Sequence, residues 1–343
     1  MLRAPAVAAA LALALAALTT ACAGGPAQNR AEQVARAQPA PQEPPPDDGA
    51  PGEGPDGDPD GDPGEEQPQD PPVVIAPPHG SVAIAETIAE DLPEDLRHAA
   101  PLPDGSLLLT PDTGGTVYHL NPVSGTVTQA GEIETTADET TIVDIATWEE
   151  SVYIAYEGAE NNRISRYTYE AGTLRPSGSA AARDLPRGAG LMAFGPDGML
   201  YTSTGPAGEI LRIDPARPAA TAAISTGHTD LRGLAWDLMG QLWTIDPGNG
   251  TTTDVLPITP ENPLPPADTT VPATENPTDL TQIAGSLWMT TESGTLWRYP
   301  LPNATPEPFL TNDLGALHAV LPTPDGEDLY LLTETSVLRL TVT

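Results

Sequence analysis

The chain has 343 residues, with 48 Asp and Glu against 14 Lys and Arg, and a formal net charge of −34. All fourteen basic residues are Arg, and phosphate backbones are bound by clustered cations, so a nucleic-acid partner is excluded. A single Cys excludes a disulfide framework.

Met1-Leu2-Arg3 opens with a positive charge, and Ala4–Leu18 is apolar apart from Pro5. That stretch is too short and too Ala-rich for a transmembrane helix and fits a secretory signal peptide over residues 1–21. It ends in Leu18-Thr19-Thr20-Ala21-Cys22. Small residues directly before a Cys resemble the bacterial lipoprotein signal, in which the thiol is diacylated, although Thr19 stands where Leu is commoner. Ordinary signal cleavage with Cys22 incidental is the alternative. The sole Cys does stand where lipidation requires it, and two acyl chains suffice for stable anchoring. The expected location is therefore the outer face of the bacterial cell membrane.

Residues 22–78 read as a disordered tether: Pro and acid at short intervals, with almost no large apolar side chain before Val73. Within it, Asp56-Gly57-Asp58-Pro59-Asp60-Gly61-Asp62 resembles the start of a calcium loop. The closing bidentate Glu should fall at residue 67, which is Gln67, so a solvated acidic tail is the better reading.

From residue 79 onward Leu, β-branched and aromatic residues return, and only residues 79–343 can bury a core. Six hairpin marks recur there: Leu107-Leu108, Val152-Tyr153, Leu200-Tyr201, Leu242-Trp243, Leu287-Trp288 and Leu329-Tyr330. Their steps are 45, 48, 42, 45 and 42 residues, one small sheet per unit, which predicts an all-β, six-bladed β-propeller. Pro103-Asp104-Gly105, Pro196-Asp197-Gly198 and Pro324-Asp325-Gly326 supply tight turns before three of the marks. The last unit runs out of chain before a fourth strand. The alternating segment Ser81–Ile88 is expected to supply that strand and close the ring. The Pro- and Thr-rich stretch Pro260–Pro277 reads as an excursion from the fourth blade.

Two segments carry a resemblance beyond the repeat. Gly190-Leu191-Met192-Ala193-Phe194-Gly195-Pro196-Asp197-Gly198-Met199-Leu200-Tyr201 resembles the F-G-P-D-G-x-L-Y region of the PQQ-dependent glucose/sorbosone dehydrogenases. Gly227-His228, Gly233-Leu234-Ala235-Trp236-Asp237 and Leu242-Trp243 resemble that family's G-H-R-N-x-x-G-L-A-W-D…L-W region. The resemblance implies a six-bladed propeller that binds PQQ with calcium and oxidises a sugar. Its catalytic positions are substituted here. The His that the family uses as general base corresponds to Arg187, and a guanidinium cannot take a proton at neutral pH. The Asp that orients that His corresponds to Pro206, and the cofactor-contacting Arg-Asn pair to Thr229 and Asp230. The turn associated with calcium reads Asp246-Pro247-Gly248-Asn249. The resemblance therefore implies shared descent and fold without the family's redox chemistry, and neither PQQ nor calcium is expected.

Aligning the units brings His98, Asp144, Arg232, Asp279 and His318 from first strands toward the central channel. They read either as a water-filled polar channel or as ligands for a divalent metal of the lactonase type. The expected function is an anchored, extracytoplasmic propeller that binds a small molecule or a surface protein. The alternatives are an active PQQ sugar dehydrogenase with a rebuilt site, and a metal-dependent hydrolase. The anchor has a direct test: Cys22→Ser should release the protein into the medium, as read by blotting membrane and medium fractions, and unchanged membrane retention would refute lipidation.

Overall fold

The computed structural model describes residues 73–75 and 83–342, with breaks at 94, 134–138, 159–161, 187, 189, 205–207, 218–220, 226–230, 248–251, 259–269, 273–274, 302–304 and 312–313. The signal segment, Cys22 and the Asp56–Asp62 run lie outside the described residues.

Every regular element among the described residues is a strand. β1 (Val73–Ile75) and β2 (Ala83–Ala89) come first. Blade 1 is β3 (Leu96–Pro101), β4 (Leu107–Pro111), β5 (Thr116–Asn121) and β6 (Thr126–Glu132). Blade 2 is β7 (Glu139–Trp148), β8 (Ser151–Gly158), β9 (Asn162–Glu170) and β10 (Thr173–Leu185). Blade 3 is β11 (Met192–Phe194), β12 (Leu200–Ser203), β13 (Glu209–Ile213) and β14 (Thr221–Ser225). Blade 4 is β15 (Arg232–Trp236), β16 (Leu242–Asp246), β17 (Thr252–Ile258) and β18 (Thr270–Pro272). Blade 5 is β19 (Pro277–Ile283), β20 (Ser286–Thr291), β21 (Leu296–Pro300) and β22 (Glu307–Leu310). The last sheet holds β23 (Leu317–Pro322), β24 (Asp328–Thr333) and β25 (Val337–Val342).

Each sheet is an antiparallel meander, and the last reads β1-β2-β25-β24-β23. β2 thus supplies the outer strand of blade 6, with Ala83 opposite Val342 and Thr87 opposite Leu338. The innermost strands touch in a closed circle, β3 to β7 to β11 to β15 to β19 to β23 and back to β3. The chain is therefore an all-β, six-bladed propeller.

Three features differ from the sequence reading. The tether was expected to reach residue 78, yet the β-branched trio Val73-Val74-Ile75 pairs with Ile84 and its neighbours as a fifth strand. Blade 2 has a long outer strand, β10, that its Pro, Ser and Gly residues disguise. Blade 4 keeps a short one, β18, inside the Pro-rich excursion.

The Pro-Asp-Gly turns work as their chemistry requires. Ser106, Met199 and Glu327 donate their backbone N–H to Asp104, Asp197 and Asp325 two residues back. Gly105 adopts a φ of 86°, and a Cβ there would stand 2.8 Å from Pro324.

Six apolar clusters fill the six blade interfaces, one each. The two residues of every hairpin mark face opposite ways. Leu108, Tyr153, Tyr201, Trp243, Trp288 and Tyr330 pack toward the following blade, while Leu107, Val152, Leu200, Leu242, Leu287 and Leu329 pack toward the preceding one. The aromatic marks therefore serve packing, as in the edge-on contact of Trp288 with Phe309 at 4.9 Å.

Closure gives a prediction. Deleting residues 1–90 removes β2 and leaves β25 as an open edge. The shortened chain should melt at lower temperature and self-associate on size-exclusion chromatography. A monomer with the full-length melting curve would show that closure is dispensable.

Candidate functional site

The inner strands do not run flat past the axis. Five of the six are bulged near the start, between Leu96 and His98, Ile142 and Asp144, Arg232 and Leu234, Pro277 and Asp279, and Leu317 and Ala319. A bulge re-aims the side chains beside it. By the strand pairing, His98, Asp144, Arg232, Asp279 and Ala319 occupy one equivalent level, opposite Thr110, Ala155, Ile245, Thr290 and Leu332. Arg97, Val143, Thr278 and His318, each one residue earlier, are the extra residues of their bulges, and in blade 4 the extra residue is Gly233. The five channel residues singled out from sequence all line one cavity of about 320 Å3. They belong to two levels: His98, Asp144, Arg232 and Asp279 are paired at one, and His318 is the extra residue of its bulge. Gly233 has no freedom to be larger, because its φ is 63° and a Cβ would meet Ile245 at 2.9 Å.

A hydrogen-bonded network spans the junction of blades 6 and 1. Arg97 Nη1 lies 3.1 Å from both ring nitrogens of His318, and Arg97 Nη2 donates to Asp95 at 2.7 Å. His98 Nε2 donates to Asp112 Oδ1 at 2.9 Å. Burial, and then the Arg97 charge, lower the pKa of His318, so its ring is neutral and accepts from the guanidinium. For Asp112 burial pushes the carboxyl upward. The hydrogen bond from His98 and the charges of His98 and Arg97 outweigh that and hold it below the ordinary range.

Asp144 and Asp279 stand three blades apart, across the channel from each other, in identical settings. Each carboxylate accepts the next residue's N–H, Ile145 and Leu280, both at 2.8 Å. Its other oxygen accepts an N–H from the following blade, Met192 at 2.6 Å and Val320 at 3.0 Å. Both carboxyls open only onto the cavity and are otherwise enclosed by protein. That desolvation, which the Met192 and Ile145 N–H groups and His98 only partly offset, pushes Asp144 up to about 7. It pushes Asp279 up to about 6 against the Val320 and Leu280 N–H groups. Together with Ala99 and Leu191 they form a waist, since all four also line a second cavity of about 400 Å3 on the far side.

Arg187, Pro206, Thr229 and Asp230, the positions matched to the family's catalytic and cofactor groups, lie outside the described residues, as does His228. The chain neighbours Gly188 and Leu231 line the upper cavity. Sequence reasoning missed Arg97, Asp112 and Glu292, which also line it. A signal was there for the acids: Asp112, Glu157, Glu292 and Glu334 each fall five residues after the first residue of a hairpin mark.

The cavity can be tested against the family's cofactor by its donor set. PQQ is a planar quinone bearing three carboxylates. Among the described lining residues the cations are Arg97 and Arg232, set against Asp112, Asp144, Asp279 and Glu292. Arg97 already binds His318 and Asp95. A trianion does not fit that set. Among the described residues, no three His, Cys, Asp or Glu side chains converge closely enough to hold a metal ion.

The buried carboxyls set a pH dependence. An unfolded Asp titrates near 3.8, whereas Asp144 titrates at about 7 in the fold. Between those values the native state holds the extra proton, so this residue's contribution to stability falls as pH rises and levels off above about 7. Asp144→Asn should therefore gain in Tm relative to wild type as pH is raised from about 5 to about 8. A Tm difference independent of pH would show that the carboxyl titrates normally.

No protein-family model matches the chain, and no curated protein matches it in sequence. Solved structures do. The PQQ-bound form of aldose sugar dehydrogenase from Streptomyces coelicolor is similar with 26% identity and a TM-score of 0.64, over 78% of this chain and 100% of that one. An oxidoreductase assigned as a glucose dehydrogenase from a Thermus species shares the fold, with 24% identity and a TM-score of 0.62, over 75% and 99% of the two chains. A gluconolactonase from Xanthomonas campestris shares it more distantly, with 11% identity and a TM-score of 0.54, over 80% and 95%. The chain thus resembles PQQ-dependent aldose sugar dehydrogenases in its six-bladed architecture and, more faintly, in sequence.

Proposed function

We propose that this chain is a membrane-anchored, extracytoplasmic binding propeller, descended from the sugar dehydrogenases and without their redox chemistry. Cys22 would carry the lipid, the acidic segment after it would set the propeller off the membrane, and the upper cavity would take a small molecule or a surface protein. The observation that carries the reading is the donor set of the described cavity, Arg97 and Arg232 against Asp112, Asp144, Asp279 and Glu292, which does not suit a tricarboxylate cofactor. Arg187 supports it: at the position matched to the family's base stands a guanidinium, which cannot take a proton from a sugar hydroxyl at neutral pH.

A second reading, an enzyme that uses the channel, has one feature in its favour: Asp144 lines the cavity, and its burial there pushes its carboxyl up to about 7. Against it, both carboxylate oxygens already hold backbone N–H groups of two blades, which is a structural task.

The full chain mixed with PQQ, calcium and a panel of aldoses should reduce no dye and should leave the PQQ absorbance unchanged. Turnover, or tight stoichiometric PQQ uptake, overturns the binding reading. Hydrolysis of sugar lactones that disappears in Asp144→Asn would establish the enzyme instead. Bound metal in the purified protein, lost in His98→Ala and His318→Ala, would make it a metal-dependent one.

A further inference from the structure

We propose that the lower mouth of the channel, beyond the Asp144–Asp279 waist, is a second binding site, and that it takes a small organic cation of the quaternary-ammonium class. This cavity of about 400 Å3 lies at the far ends of the inner strands, where Pro101, Trp148, Phe194, Trp236 and Pro322 end β3, β7, β11, β15 and β23. The site stands whatever the upper cavity binds.

The wall is aromatic. Trp148, Phe194 and Trp236 come from three consecutive blades, line the cavity and are each only partly buried. Blade packing fixes the rings. Trp148 stacks on Phe194 at 5.1 Å with an interplanar angle of 22°, and Trp236 stands edge-on to Tyr201 at 4.9 Å and 70°. The negative face of an aromatic ring attracts a cation, most strongly for Trp, and rings already held in place lose little entropy on binding.

The floor and the rim are acidic. At the waist Asp144 and Asp279 stand across the channel from each other. Burial raises both carboxyls, and the charge of Asp279 adds to the rise at Asp144. Around the mouth, the turns that join inner to second strands carry Asp104, Glu149, Glu150, Asp197, Asp237 and Asp325. Arg212 pairs with Asp197, and Arg339 with Asp325 and Asp328, but both Arg stand on third strands, two strands out from the channel. Among the described residues no cationic side chain lines the cavity.

That lining discriminates between ligand classes. An anion is opposed by the carboxyls of floor and rim. A neutral apolar ligand would leave two carboxylates facing hydrocarbon. A hard metal ion takes about six oxygens or more, and among the described residues no three His, Cys, Asp or Glu side chains converge to hold one. A primary ammonium brings N–H donors that Ala, Leu and ring carbons cannot accept. A methylated ammonium carries positive charge with no donor to satisfy: its methyl surface lies on the rings and its charge answers the carboxylates. A phosphodiester beside the ammonium, as in a choline lipid, would meet the acidic rim, so the occupant is a free solute.

The test is calorimetric titration of the full chain with choline and tetramethylammonium, against phosphocholine and against dimethylbutanol, the uncharged carbon isostere of choline. At least one of the cations should bind saturably, with phosphocholine and the isostere each at least about tenfold weaker. Trp236→Leu should weaken the cation about tenfold, while Trp297→Leu, the same change at a ring that lines neither cavity, leaves it unchanged. Should Trp236→Leu fail to fold, Trp148→Leu reads the same wall. The cation should also bind at least about tenfold more tightly at pH about 8 than at pH about 5, because it prefers both carboxyls ionised. His98, the other charged group acting on the pair, opposes a cation when protonated and so works in the same direction. Absence of saturable binding by either cation overturns the proposal. So does an isostere or phosphocholine that binds as tightly, an affinity indifferent to pH, or binding that survives both Trp236→Leu and Trp148→Leu.

Discussion

The structure depends on one constraint: every second strand is buried on both faces at once. Successive side chains of a strand point to opposite sides, so Leu107 and Leu108, or Leu287 and Trp288, fill different interfaces. No blade can satisfy both faces alone, and a row of such blades would leave two of them bare. Only a ring satisfies all six. The interface between blades 6 and 1 is then as necessary as any other. It is assembled from the two ends of the chain, with Ala89 joining Tyr330, Leu332 and Val337 on one side and Leu96 and Leu107 on the other.

Ring closure also dictates what happens at the axis. Six inner strands converge where little side-chain volume fits, and the bulges take up the excess residue and redirect neighbours toward the channel. Of the five bulged blades, three place His, Arg or Ala at the paired axial level, and two place Asp. Those two carboxylates are expensive to bury. They also accept N–H groups of Met192 and Val320 on the inner edges of the neighbouring blades, and they tie blade 2 to blade 3 and blade 5 to blade 6. The same cause, enclosure by neighbouring blades, both raises their pKa and makes them useful as ties.

What was legible in the sequence follows from where the physics is local. The marks and the Asp-Gly turns depend on alternation and turn chemistry within a dozen residues, so all six units could be read. Even the closing strand was visible, because an orphan strand and a missing one imply each other. Outer strands such as β10 and β18 were hidden because one face meets solvent and tolerates Pro, Ser and Gly. The five channel residues could be gathered by unit alignment, but not sorted into two levels, because a bulge shifts the register by one and leaves no mark in composition. Arg97 was missed for the same reason: it is the extra residue of its bulge.

The separation of packing from site chemistry explains how such a chain can keep an ancestral architecture while its cavity changes. None of Arg97, His98, Asp112, Asp144, Asp279 and His318 belongs to the apolar clusters that hold the blades together. They sit at bulges and at the ends of second strands, where substitution alters charge and shape at the axis and leaves the interfaces intact. The acids five residues past four of the marks follow the same logic: the repeat fixes their position around the axis, while their chemistry is free to vary. A fold held by one set of strand positions and a site written on another can be inherited separately, which is why architecture and activity must be argued from different residues.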